Sequence, residues 1–103
     1  MLTRTIAIKT VESFIESCKE NNIIFEKVIL FGSTAQDNAN ENSDIDVLLV
    51  SDQFGPSKWT NLGLIARVNK KYRLIEPHLY PTSSYLTGDP FITEIKRTGV
   101  EII

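Results

Sequence analysis

Two short apolar runs, Val28-Ile29-Leu30-Phe31 and Ile45 to Val50, constrain this chain more than any other feature. Gly32-Ser33 closes the first, Ser43-Asp44-Ile45-Asp46 opens the second, and a polar loop joins them. Each run is short, rich in branched residues and bounded by turn or loop residues, which predicts buried strands. Gly32 lets the backbone turn with positive φ or approach a ligand closely, and Ser33 adds a hydroxyl and an N–H at the predicted start of a short helix, where a phosphate can be held. Asp44 and Asp46 are two residues apart, so a period of two puts both carboxylates on one face and Ile45 and Val47 on the other. Neighbouring carboxylates repel unless a cation lies between them, and hard oxygen donors suit Mg²⁺ or Mn²⁺.

Gly-Ser after a strand is by itself a turn, and Ser-Asp before a strand is by itself a loop end. Together they form a pattern: strand, Gly32-Ser33, ten residues (34–43), Asp44-x-Asp46, strand. In this the chain resembles the polymerase-beta-like nucleotidyltransferase superfamily, and most closely its small prokaryotic branch, the minimal nucleotidyltransferases paired with HEPN-domain proteins. The resemblance spans most of the chain. It implies an α/β (α+β) palm-like core, a small mixed β-sheet flanked by helices.

The 103 residues are expected to form one domain, 1–103, with a modest core; 42% hydrophobic and 23% charged residues are ordinary for a globular protein. A formal charge of -2 and the lack of a Lys/Arg cluster interleaved with aromatics argue against direct nucleic-acid binding. Cys18 is the only cysteine, which excludes an internal disulfide and any CxxC metal site; it falls on the apolar side of a predicted helix, as a packing residue. No apolar stretch approaches the ~20 residues of a membrane span, so no membrane role and a cytoplasmic location are expected.

Residues 1–9 give no clear pattern. From Thr10, a candidate N-cap, the residues Val11, Phe14, Ile15 and Cys18 follow helical spacing, and Asn21-Asn22 marks a stop. Ser57 caps a second predicted helix whose apolar positions include Trp59, Leu62, Ile65 and Ala66. Trp59 reads as core or interface first and as a base-stacking platform second. Lys58, Arg67, Lys70 and Lys71 are available to neutralise a triphosphate, though solvated helix ends explain them equally. Tyr72 to Tyr80 predicts a third strand with Glu76, His78 and Tyr80 on one face, and Pro77 confines it to an edge or a bulge. Asp89-Pro90 is an N-cap with proline at the first helical position, Gly99 ends that helix, and Val100 to Ile103 reads as a short strand or apolar tail.

The superfamily places a third acidic residue, usually Asp, on the strand beside Asp-x-Asp, and Glu76 occupies that place here. The resemblance therefore implies that Asp44, Asp46 and Glu76 bind two Mg²⁺ ions (or Mn²⁺), that Gly32 and Ser33 grip the triphosphate, and that ATP donates AMP to an acceptor hydroxyl. His78, two residues on, shares that face and reads as a hydrogen-bonded structural residue first and as a support to the site second. A chain this short lacks an acceptor domain, so a partner is expected to complete the site; the resemblance implies a HEPN-domain toxin, modified on a tyrosine hydroxyl, with this chain as its antitoxin. A binding module that neutralises its partner by contact, and a small-molecule nucleotidyltransferase whose acceptor pocket needs a homodimer, are the alternatives.

Overall fold

The computed structural model describes residues 2–38 and 44–103, so residues 39–43 of the polar loop, Ser43 among them, lie outside the described residues. The elements run α1 (Arg4–Glu20), β1 (Lys27–Phe31), β2 (Ile45–Ser51), α2 (Lys58–Asn69), β3 (Ile75–Pro81), α3 (Thr82–Thr87), α4 (Pro90–Thr98) and β4 (Val100–Glu101). The strands form one mixed sheet in the order β3-β2-β1-β4. β1 is antiparallel to β2 and β4, whereas β2 and β3 are parallel, joined through α2. The expected small mixed sheet with flanking helices is the observed architecture.

Both sheet faces are covered. On one, Val28, Leu30, Ile45, Val47 and Leu49 pack with Ala7, Val11, Phe14 and Cys18 of α1 and Ile65 and Val68 of α2. On the other, Ile29, Leu48 and Val50 pack with Ile92 and Ile95 of α4. Strands buried on both faces need continuous apolar sequence, which explains the lack of alternation in Val47 to Val50. Burial pushes the Cys18 thiol up to about 12, as befits a packing residue.

α1 begins earlier than the sequence reading placed it. Thr3, not Thr10, is the N-cap, its hydroxyl accepting from the Ile6 N–H, while the Thr10 hydroxyl donates to the Ile6 carbonyl inside the helix. Ala7 extends the buried stripe by one turn, and a small residue there hides the pattern from a search for large apolar side chains. Nor does a helix follow Ser33 among the described residues. The Gly32 carbonyl accepts from the N–H groups of Ala35 and Gln36, but Asp37 adopts a left-handed conformation (φ 59) that ends the turn.

α2 starts after its Ser57 cap as expected but turns a different face inward. Its buried residues are Asn61, Ile65 and Val68, whereas Trp59 is 81% exposed and Ala66 is exposed too. Asn61 takes a core position because its amide closes two hydrogen bonds on one residue: its oxygen accepts from the Gly55 N–H (2.9 Å) and its nitrogen donates to the Gly55 carbonyl (2.8 Å). A buried polar residue thus replaces an apolar one in the inward stripe and shifts the apparent periodicity.

β3 is the edge strand that Pro77 demands. The Ile45 N–H donates to the Leu74 carbonyl, so alternation along a parallel pair directs the backbone groups of Glu76, His78 and Tyr80 into the ladder. Pro77 and Pro81 then fall where an N–H would point to the open edge. Replacing Asn61 by Ala should leave the Gly55 backbone groups unpaired and cost about 1–3 kcal/mol, read as a lowered midpoint in urea denaturation with unchanged slope.

Candidate active site

Because β1 runs antiparallel to β2 and β3, its carboxyl end and their amino ends share one rim of the sheet. Register sets Phe31 opposite Asp46, and Asp46 directly beside Glu76. Both carboxylates project from the α4 side of the sheet, above Leu48 and Val50. His78, two residues beyond Glu76, joins them: ligand atoms of Asp46, Glu76 and His78 all lie within 4.8 Å of one another. The His78 Nε2 stands 3.4 Å from Asp46 Oδ1.

Gly32 has the positive φ read for it. Its φ is +78, in the region that favours glycine, and an added Cβ would lie 2.6 Å from Asp46 Oδ2. The close approach is therefore to the carboxylate, which packs directly against the turn. The loop carrying Ser33 is tied at three points. Asp37 accepts from the backbone N–H of Arg4 in the first turn of α1 (3.0 Å), the Arg4 Nε donates to the Ala35 carbonyl (2.8 Å), and the Gln36 amide donates to the Thr98 carbonyl at the end of α4 (3.0 Å). Ser33 is half-buried at the start of this loop.

Asp44 is exposed, one residue ahead of β2, and lies outside the Asp46–Glu76–His78 group. The strand ladder that fixes Asp46 does not reach it, although its charge still acts on Glu76. Glu76 holds its proton more tightly than an ordinary glutamate, chiefly because the Asp46 carboxylate stands beside it. A divalent cation would remove that repulsion, and two carboxylates with an adjacent imidazole are a fitting donor set for one.

An aromatic wall bounds the group. The Phe31 ring meets His78 edge-on at 5.0 Å and Phe91 at 5.6 Å, and Phe91 stacks on Tyr80 at 6.3 Å. On the β3 edge, Glu76 and His78 also line a cleft of about 610 Å³ with Lys58, Asn61, Tyr80 and Ser84. Of the four basic residues read as candidates for a triphosphate, Lys58 alone shares that cleft; Trp59 does not line it. His78 joins the site from the face on which the sequence reading put it, and Phe91 is the site's addition to that reading. The period of two from Glu76 gave a signal for His78; nothing local marked Phe91, which arrives on α4.

Residues 11–102 match the family described as Nucleotidyltransferase domain. A Methanocaldococcus jannaschii chain named as a candidate protein adenylyltransferase is 34% identical over 80 residues, covering 75% of this chain and 78% of that one. The fold matches the crystal structure of a candidate nucleotidyltransferase from Sulfolobus solfataricus with a TM-score of 0.67 at 17% identity, over 95% of this chain and 80% of that chain. The protein belongs to the nucleotidyltransferase domain family and is a nucleotidyltransferase enzyme. No helix among the described residues is long and apolar enough to cross a membrane.

Two outcomes check this geometry. Gly32→Ala should push the Asp46 carboxylate aside and add backbone strain of about 1–3 kcal/mol, lowering both the melting temperature and transferase activity. In metal-free protein, ¹³C NMR titration should place the Glu76 carboxyl above the ordinary range, and Asp46→Asn should bring it down. The sign for stability follows: a carboxyl raised in the folded state weakens folding as pH climbs from its unfolded value through its folded one. Asp46→Asn should flatten that loss and leave the melting temperature at neutral pH level or higher.

Proposed function

We propose that the protein transfers AMP from ATP, with divalent metal ions, to a hydroxyl group of a partner protein. The observation that carries this reading is the pairing of Asp46 and Glu76 in register on neighbouring strands, with Gly32 packed against Asp46. Asp46 and Glu76, with Asp44 on the strength of the family resemblance, would hold the ions, Mg²⁺ or Mn²⁺. Bound there, paired ions would polarise the attacking and leaving oxygens of an in-line displacement at the α-phosphorus.

The chain's own groups do the rest. Gly32 and Ser33 bind the β and γ phosphates through backbone N–H groups and the hydroxyl, on a loop braced by α1 and α4. Lys58 offsets triphosphate charge from the cleft wall. Glu76, on the acceptor side of the site, helps take the proton of the attacking hydroxyl. The acceptor oxygen bonds to the α-phosphorus, the bond to the bridging oxygen breaks, and pyrophosphate leaves.

A protein acceptor is supported by the name of the Methanocaldococcus jannaschii relative. The resemblance to paired minimal nucleotidyltransferases supports a HEPN-domain toxin as that acceptor and an antitoxin role for this chain. Incubation with α-labelled ATP and Mg²⁺, with and without the product of the neighbouring gene, should place label on the partner. Asp46→Asn should abolish the labelling without unfolding the protein. No label on any protein, or equal labelling by Asp46→Asn, would refute the proposal.

A further inference from the structure

His78 is the one member of the convergent group that a three-carboxylate site does not explain. It rises from β3 on the same face as Glu76, opposite Leu48, with its Nε2 turned toward Asp46. As a hydrogen bond the 3.4 Å separation is long, since N–H···O contacts span about 2.7–3.2 Å. As a spacing between two donors on one ion it is apt. Donors about 2.1 Å from a common centre, at angles of roughly 90 to 110°, lie about 3.0 to 3.4 Å apart.

The ring is also held in place. Phe31 meets it edge-on at 5.0 Å and Phe91 lies against it at 5.9 Å, so an imidazole with 31% of its side chain accessible has little freedom to swing away. A donor already fixed gives up little entropy on binding.

Resting on the metal-dependent reading above, we propose that His78 is itself a ligand of the ion held by Asp46 and Glu76, and that its nitrogen biases that position toward Mn²⁺ over Mg²⁺. Mg²⁺ takes oxygen donors in a strict octahedron and gains little from an imidazole, whereas first-row transition ions accept nitrogen readily. The two carboxylates supply affinity for either ion. His78 supplies the discrimination.

The test uses the full chain without nucleotide, so that it reads the site and not turnover. Mn²⁺ binding is followed by electron paramagnetic resonance, Mg²⁺ binding by competition, and nitrogen ligation by the ¹⁴N modulation of the Mn²⁺ spin echo. The parent should show an imidazole nitrogen coupling that His78→Gln lacks. In His78→Gln the ratio of Mn²⁺ to Mg²⁺ affinity should fall about tenfold or more, with Mg²⁺ affinity little changed. Thermal melts confirm that the variant is folded; if it is not, the nitrogen coupling in the parent decides alone. A parent without nitrogen coupling, or an unchanged ratio in His78→Gln, would overturn the role of His78 while leaving the metal site standing, provided Asp46→Asn still weakens both ions. Equal binding by Asp46→Asn and parent would instead overturn the metal-dependent reading, and His78's part with it.

Discussion

The parallel pairing of β2 with β3 holds Asp46 and Glu76 side by side, and their mutual repulsion is built into the backbone rather than left to side-chain choice. Flexible carboxylates on separate loops would move apart. Here the strand ladder fixes both Cα positions, and Gly32 blocks the retreat of Asp46 on the β1 side. The strain is tolerated because the strands below it are buried on both faces: Val47 and Leu49 against α1 and α2, Leu48 and Val50 against α4. Each such side chain contributes roughly 1.5–3 kcal/mol on burial, so a few of them outweigh one uncompensated carboxylate pair at the rim.

The same economy of parts explains how so small a chain positions a site. α4 covers the second sheet face with Ile92 and Ile95, and its first turn delivers Phe91 to the wall beside His78 and Phe31. Its last turn accepts the Gln36 amide and so anchors the Gly32-Ser33 loop. α1 packs the opposite face and braces the same loop through Arg4. Elements that build the core therefore also hold the site, and changes in the core will be felt there.

The open edge of β3 is guarded as well. Pro77 and Pro81 fall at positions whose N–H would face outward, which denies a further strand part of its ladder. The edge that carries Glu76 and His78 thus borders a cleft and resists strand addition.

Much of this was legible in the sequence because it is local. A run of branched residues closed by Gly32, two aspartates two residues apart, the Ser57 and Asp89 caps and the proline in β3 each follow from neighbours in the chain. The start of α1 was not, because Ala7 is too small to announce a buried face. The inward face of α2 was not, because Asn61 is polar and is buried only through its bonds to Gly55. Register is the larger gap: period two places Glu76 and His78 on one face, but only the pairing of β2 with β3 sets Glu76 beside Asp46 and leaves Asp44 outside the group. The sequence by itself determined which residues bear charge and which strands must be buried. Tertiary structure alone decided which of those charges meet, because strand register and the arrival of α4 are settled by contacts between residues far apart in the chain.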